Sequence, residues 1–205
     1  MPFTIHDSQL TTMNVLLIFI RNPQLGKVKT RLARTVGDVE ALRIYNLLLD
    51  RTRRAAQGVA ARRWLFYTDF IPSTDNWPES DFQKKIQHPG DLGERMESAF
   101  REAFLAGAHK ALIIGSDCPE LSGALLQQAF DALDHADFVI GPTPDGGYYL
   151  LGMKQLESSV FQDIEWSTET VRSKTLEKIN TAGLTCAELP VLADLDTEED
   201  VPEGM

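Results

Sequence analysis

Cysteine is nearly absent. Cys118 and Cys186 are the only two among 205 residues, and no CxxC pair or Cys/His cluster occurs. This argues against a disulfide framework or a structural zinc site and leaves free thiols. His6, His88, His109 and His135 stand apart from one another and show no metal-ligating spacing. Long apolar runs are missing as well. The longest, Val15 to Ile20, is far too short for a membrane span. Residues 1–13 have neither the basic start nor the apolar core of a signal peptide, so a cytoplasmic location is expected. Those residues read as a loose N-terminal extension before one domain over 14–205. Positive charge is in deficit. A formal net charge of −10 speaks against a nucleic-acid or anionic-membrane partner.

The scarce positive charge is concentrated in one place. RNPQLGKVKTRLAR (residues 21–34) carries Arg21, Lys27, Lys29, Arg31 and Arg34 and no acid; without those five cations the formal charge falls from −10 to −15. Its Gly26-Lys27 resembles part of an ATP-binding P-loop. That motif, however, needs a glycine where Arg21 stands and a hydroxyl where Val28 stands. Two of its four fixed positions fail, so another use of the charge is expected. Lys27, Lys29 and Arg31 alternate. In an extended loop they would project to one side and converge on a polyphosphate, with Gly26 allowing close backbone approach. A solvated basic turn is the competing reading.

Apolar patterning alternates strands and helices through most of the chain. Strands are expected at 14–20, 63–67, 82–87, 111–114, 138–140, 148–153 and 184–190. Helices are expected at 37–60, 92–107, 122–135 and from 167 or 168 to 182. The fold class is therefore α/β, a single Rossmann-like domain with a mostly parallel sheet flanked by helices. The glycine-rich GPTPDGG feeding YYLLGM breaks strict alternation and predicts a mixed sheet.

In such sheets ligands bind beyond the carboxyl ends of strands, near a topological switch point. Three segments fall there: the basic loop, SDCPELS and TPDGGYY. Asp117 follows the strand ALII. One carboxylate suffices for Mg²⁺ or Mn²⁺ carried by a nucleotide, because phosphates and water fill the remaining positions; organising the turn before Pro119 is the alternative. Asp145 either forms a tight turn or accepts a hydroxyl proton, with Gly146 and Gly147 permitting close approach to a ligand. Asp91 and Gly93 in GDLG either start a helix or frame a nucleobase. In LADLDTEED, helix initiation accounts for Thr197 and Asp200 but not for Asp194 and Asp196. Those two could complete a metal site with Asp117.

FIRNPQLGKVKTRLA, GDLGERM, IIGSDCPEL, TPDGGYYLLG, WSTETV and DLDTEED, in this order, resemble a bacterial family of uncharacterised GT-A-type transferases. Its members are labelled glycosyltransferases or nucleotide-diphospho-sugar transferases, and they are related to the molybdenum-cofactor and 2-phospholactate guanylyltransferases. The resemblance extends from about Asn14 to Val201 and implies the GT-A (nucleotide-diphospho-sugar transferase) fold. It implies phosphate contacts from the basic loop (Arg21, Gly26, Lys27, Lys29, Arg31) and nucleotide contacts from Asp91 and Gly93. It also implies a catalytic, metal-binding Asp117 with Asp194 and Asp196 as further ligands, and an acceptor pocket around Asp145, Gly146, Gly147 and Tyr148. The implied activity is transfer from a nucleotide-sugar, or from a nucleotide with release of pyrophosphate, to a small-molecule acceptor; a binding protein that has lost the reaction is the alternative of another class. Two features depart from the relatives: SDCP has one aspartate where many glycosyltransferases have Asp-x-Asp, and the loop lacks the LAGGxxxRM form. A homodimer is expected only if a large apolar patch is exposed.

Overall fold

In a computed structural model describing residues 13–202, the run Asn14–Ile20 forms β1 in a seven-stranded sheet. The extension expected over residues 1–13 lies, apart from Met13, outside the described residues. The other strands are β2 (Arg62–Tyr67), β3 (Phe82–Ile86), β4 (Lys110–Ile114), β5 (Phe138–Pro142), β6 (Tyr148–Met153) and β7 (Cys186–Glu188), in the order β3-β2-β1-β4-β6-β5-β7. All neighbours are parallel except β6, which runs antiparallel to both β4 and β5. The TPDGG turn causes this reversal. It folds the chain back as a hairpin, so the expected mixed sheet is found.

Both faces of the sheet are covered, which explains why β1 reads as an unbroken apolar run. Leu16, Ile18 and Ile20 pack towards α2 (Asp38–Gln57) and α4 (Gly123–Ala132), whereas Val15 and Leu17 pack towards α3 (Leu92–Leu105). The helix α5 (Val171–Thr181) closes that second face through Ile179. Ser122 caps α4 by accepting from Leu125 N, as its position predicts.

Three expectations need correction. The basic stretch is not extended, because Thr30–Val36 forms a helix, α1. Its cause is tertiary: Leu32 is buried against Ala41, Ile44, Leu48 and Leu195. Lys29 precedes it in a left-handed conformation (φ 47°), so Lys27, Lys29 and Arg31 do not share one side of an extended strand. The last helix begins at Val171 rather than at 167 or 168. Ser167 takes a positive φ of 66°, and Thr168 donates its hydroxyl to Glu165 O in the preceding turn. Finally, β7 keeps only three of the seven residues expected to be extended.

Candidate functional site

From β1 the chain builds outward through β2 to β3, and then crosses back to lay β4 against the other side of β1. The carboxyl ends of β1 and β4 thus flank a topological switch point, the favoured ligand position in open α/β sheets. Tyr45 of α2 holds the two exits together. Its hydroxyl accepts from Arg21 N (2.9 Å), donates to Arg21 O (3.1 Å) and lies 3.3 Å from Ser116 Oγ. Burial pushes its phenol up to about 12.

At this junction Lys29 meets Asp117. The lysine side chain is only 5% exposed, and its Nζ lies 2.6 Å from Asp117 Oδ1 and 3.5 Å from Asp196 Oδ1. The ammonium also donates to Leu195 O at 2.6 Å. Arg31 is exposed and reaches Asp196 Oδ2 at 3.2 Å. The backbone closes the arrangement, since Leu195 N donates to Asp117 O (2.9 Å). The first loop, the end of β4 and the C-terminal segment are thereby joined. The cation that spacing assigned to phosphate is here the counter-ion of the carboxylates.

Negative charge still exceeds positive charge locally. Burial, followed by the charges of Asp117, Asp196 and Asp145, raises the Asp194 carboxyl to about 7, although Lys29 pulls it down. Hard carboxylate oxygens with too little counter-charge fit a divalent cation such as Mg²⁺ or Mn²⁺. Among the described residues no three acidic, histidine or cysteine side chains form a ready-made cage. Asp117, Asp194 and Asp196 could supply carboxylate oxygens only to an ion whose other ligands come from phosphate or water. Cys118, the neighbour of Asp117, is buried, and burial raises its thiol to about 11, in keeping with a packing role.

Beside this junction, beyond the ends of β1, β2 and β3, lies an open cleft of about 610 Å³. Arg21, Lys27, His88 and Arg95 line it, with Asp69 and Gln87. Arg95 was not singled out from sequence, although it lies within GDLGERM; its Nε donates to Gly90 O (2.8 Å), which fixes the side chain at the rim. Gly26 takes φ 72° in the loop that carries Lys27.

Other candidates have structural tasks. Asp91 caps α3 in a reciprocal pair with Glu94, both hydrogen bonds being 2.9 Å. Gly93 lies beneath Trp166, where a Cβ would sit 2.6 Å from the indole, so GDLGERM and WSTETV meet by packing. Gly93→Ala should accordingly cost about 1–3 kcal/mol in chemical denaturation; an unchanged midpoint would mean that Trp166 moves freely. Asp145 Oδ1 accepts from Thr143 Oγ1 (2.5 Å) and Gly147 N (3.1 Å), closing its own turn. Gly146, at φ 86°, presses against the backbone of Glu169, 2.0 Å from where a Cβ would be. The Tyr148 ring packs into the α3–α5 side of the core, and burial raises its phenol. Of the expected acceptor group, only Asp145 and Gly147 remain at the surface of the turn without such packing.

Comparison with known proteins supports the fold. A structure from Desulfovibrio desulfuricans G20, described as a "putative nucleotide-diphospho-sugar transferase", is 34% identical, with a TM-score of 0.81 over 90% of this chain and 82% of that one. The inositol-1-phosphate CTP transferase from T. maritima shares the fold at 13% identity (TM-score 0.59, 94% of this chain and 93% of that one). So does Rv0371c from Mycobacterium tuberculosis H37Rv, solved as a complex with manganese, at 12% identity (TM-score 0.55, 92% and 96%). No curated protein matches the sequence. The sequence model of one family matches residues 50–168, a span that contains Asp91, Asp117 and Asp145 but neither the basic loop nor Asp194 and Asp196. The chain belongs to that family, described as "Uncharacterized protein conserved in bacteria (DUF2064)".

Proposed function

We propose that this chain is a transferase that draws on a nucleotide-sugar donor and transfers the glycosyl group to a small-molecule acceptor. The observation that carries the reading is the placement of a cationic cleft and a carboxylate cluster side by side at the sheet's switch point. Arg21, Lys27 and Arg95 would hold the donor's phosphates, and Asp117 with Asp194 or Asp196 would hold Mg²⁺ or Mn²⁺. When bound, the metal supplies charge compensation for the departing diphosphate. An acceptor hydroxyl attacks the anomeric carbon, the carbon–oxygen bond to the diphosphate breaks, and its electron pair leaves with the nucleoside diphosphate. Asp145 is the candidate to take the hydroxyl proton. Its Oδ1 is engaged in the turn, so Oδ2 performs that role.

One observation favours nucleotidyl transfer as a second reading. A single aspartate, Asp117, stands at the end of β4 where Asp-x-Asp would suit a nucleotide-sugar, and the adjoining cleft is rich in cations. A phosphate of the second substrate would then attack the α-phosphorus and pyrophosphate would leave.

Thermal shifts with nucleoside triphosphates and nucleotide-sugars, with and without Mn²⁺, separate the two. Metal-dependent stabilisation by nucleotide-sugars alone supports glycosyl transfer, and by triphosphates alone nucleotidyl transfer. Stabilisation by neither removes both. Lys27→Ala and Arg95→Ala should each weaken the stabilising nucleotide about tenfold, since each removes a charged phosphate contact.

A further inference from the structure

Lysine side chains are seldom buried unless paired, and the burial of Lys29 comes with a backbone cost. Its φ of 47° lies in the left-handed region, which a residue with a Cβ adopts only under strain. Packing imposes that conformation: Leu32, one turn into α1, is buried against Leu195 and ties the basic loop to the C-terminal segment. The result is an ammonium that gathers oxygens from two parts of the chain far apart in sequence. Asp117 Oδ1 and Leu195 O each lie 2.6 Å from Nζ, and Asp196 Oδ1 lies at 3.5 Å.

Two carboxylate oxygens converging on one point are what a hard divalent cation would use, with phosphate or water as its other ligands. Here both face the ammonium. The outer side of the cluster offers less. Asp196 Oδ2 is engaged by Arg31 at 3.2 Å. A dication held by Asp117 alone would share that carboxylate with the ammonium, and the two cations would repel at short range.

We propose that the Lys29 ammonium occupies the place of the divalent cation in the metal-free protein, and that the metal enters by displacing it. The inference rests on the metal assignment of Asp117 and Asp196 made above and concerns how that site is controlled. A metal arriving alone binds weakly, because the displaced ammonium loses three acceptors and gains none. A donor's phosphates supply new ones: Lys27, two positions before Lys29, already lines the cationic cleft. Metal and donor therefore bind better together than apart, and the coupling is reciprocal.

Two measurements on the full chain use Mn²⁺ alone. In the first, wild-type protein is briefly acetylated with acetic anhydride and read by mass spectrometry. Exposed Lys27 should be modified and Lys29, 5% exposed, nearly untouched. Mn²⁺ at tens-of-millimolar concentration should raise Lys29 labelling several-fold and leave Lys27 labelling unchanged. In the second, electron paramagnetic resonance counts free Mn²⁺. Lys29→Met should bind Mn²⁺ at least about tenfold more tightly than wild type, a change of the size seen when a metal ligand's partner is altered. Arg31→Ala removes an equal charge from Asp196 without vacating the two oxygens, and its exposed charge is screened, so it should tighten binding far less. Lys29 labelling that stays low while Mn²⁺ is bound overturns the proposal, and this result does not require Lys29→Met to fold. Equal tightening in the two variants overturns it as well, because loss of charge would then explain both. Lys29→Met binding Mn²⁺ no more tightly than wild type also overturns it, and leaves the metal assignment standing if Mn²⁺ still binds with nucleotide. If no protein binds Mn²⁺, with or without nucleotide, the metal assignment falls and this inference with it.

Discussion

Asp117→Asn is expected to fold normally and to lose the metal-dependent part of donor stabilisation, with turnover falling at least a hundredfold. The carboxylate is half-exposed at the exit of β4 and pairs with a buried ammonium. Asparagine keeps its shape and one oxygen but removes the charge that a hard divalent cation requires. Loss of a partner behind a metal ligand already costs about 10–100-fold, so loss of a ligand should exceed that. The fold should tolerate the change. Asp117's backbone oxygen still accepts from Leu195 N, and Lys29 keeps Leu195 O and Asp196. Circular dichroism and thermal shifts with Mn²⁺ and nucleotide would check both halves. A metal response as large as wild type would refute the assigned role, and collapse of the fold would mean that the Lys29 pair is chiefly structural.

Asp194→Asn should stabilise the metal-free protein in alkaline solution and leave it unchanged in acid. The wild-type carboxyl is raised from an ordinary value near 3.8 to about 7 by burial and by Asp117. Between those values the folded state binds the proton that the unfolded state releases, so wild-type stability falls as pH rises through that window. The loss is complete by about pH 8 and amounts to roughly 4 kcal/mol for a shift of this size. Asparagine resembles the protonated acid at every pH. Its advantage is small near pH 4, grows from there to about pH 8 and is constant beyond. Denaturant melts at pH 4, 6 and 8 read this directly. An advantage independent of pH would mean that Asp194 is not held against its charge. Mn²⁺ with nucleotide should narrow the gap at pH 8, because a cation relieves the wild-type carboxylate.

Much of the sheet was legible because burial on both faces writes β1 as a continuous apolar run, and because β6 follows an unmistakable Asp-Gly-Gly turn. The helix α1 was not. Alternating Lys27, Lys29 and Arg31 suits an extended segment as well as a loop leading into a helix, and the decision rests on Leu32 meeting Leu195 far along the chain. The same distance hid the role of Lys29. No local pattern reveals that its ammonium goes to Asp117 and Asp196. Asp117 stood out by its place after the strand ALII, and Asp194 and Asp196 because helix initiation left them unexplained; Asp117 and Asp196 meet at Lys29. For Asp91 and Gly93 those roles are sufficient, since a reciprocal cap and the face of Trp166 use them up. Arg95 escaped because nothing in GDLGERM separates a rim cation from an ordinary helix charge.

The hydrogen bond from Lys29 to Leu195 O spans 166 positions. A ribosome releases Lys29 early and the 194–196 segment late, so during synthesis the ammonium waits for partners while most of the sheet can already form. Pairings this distant in sequence are also slow to close. The contacts of Lys29 with Leu195 and Asp196 thus form only after residue 196 has been made, later than the residues that line the cationic cleft.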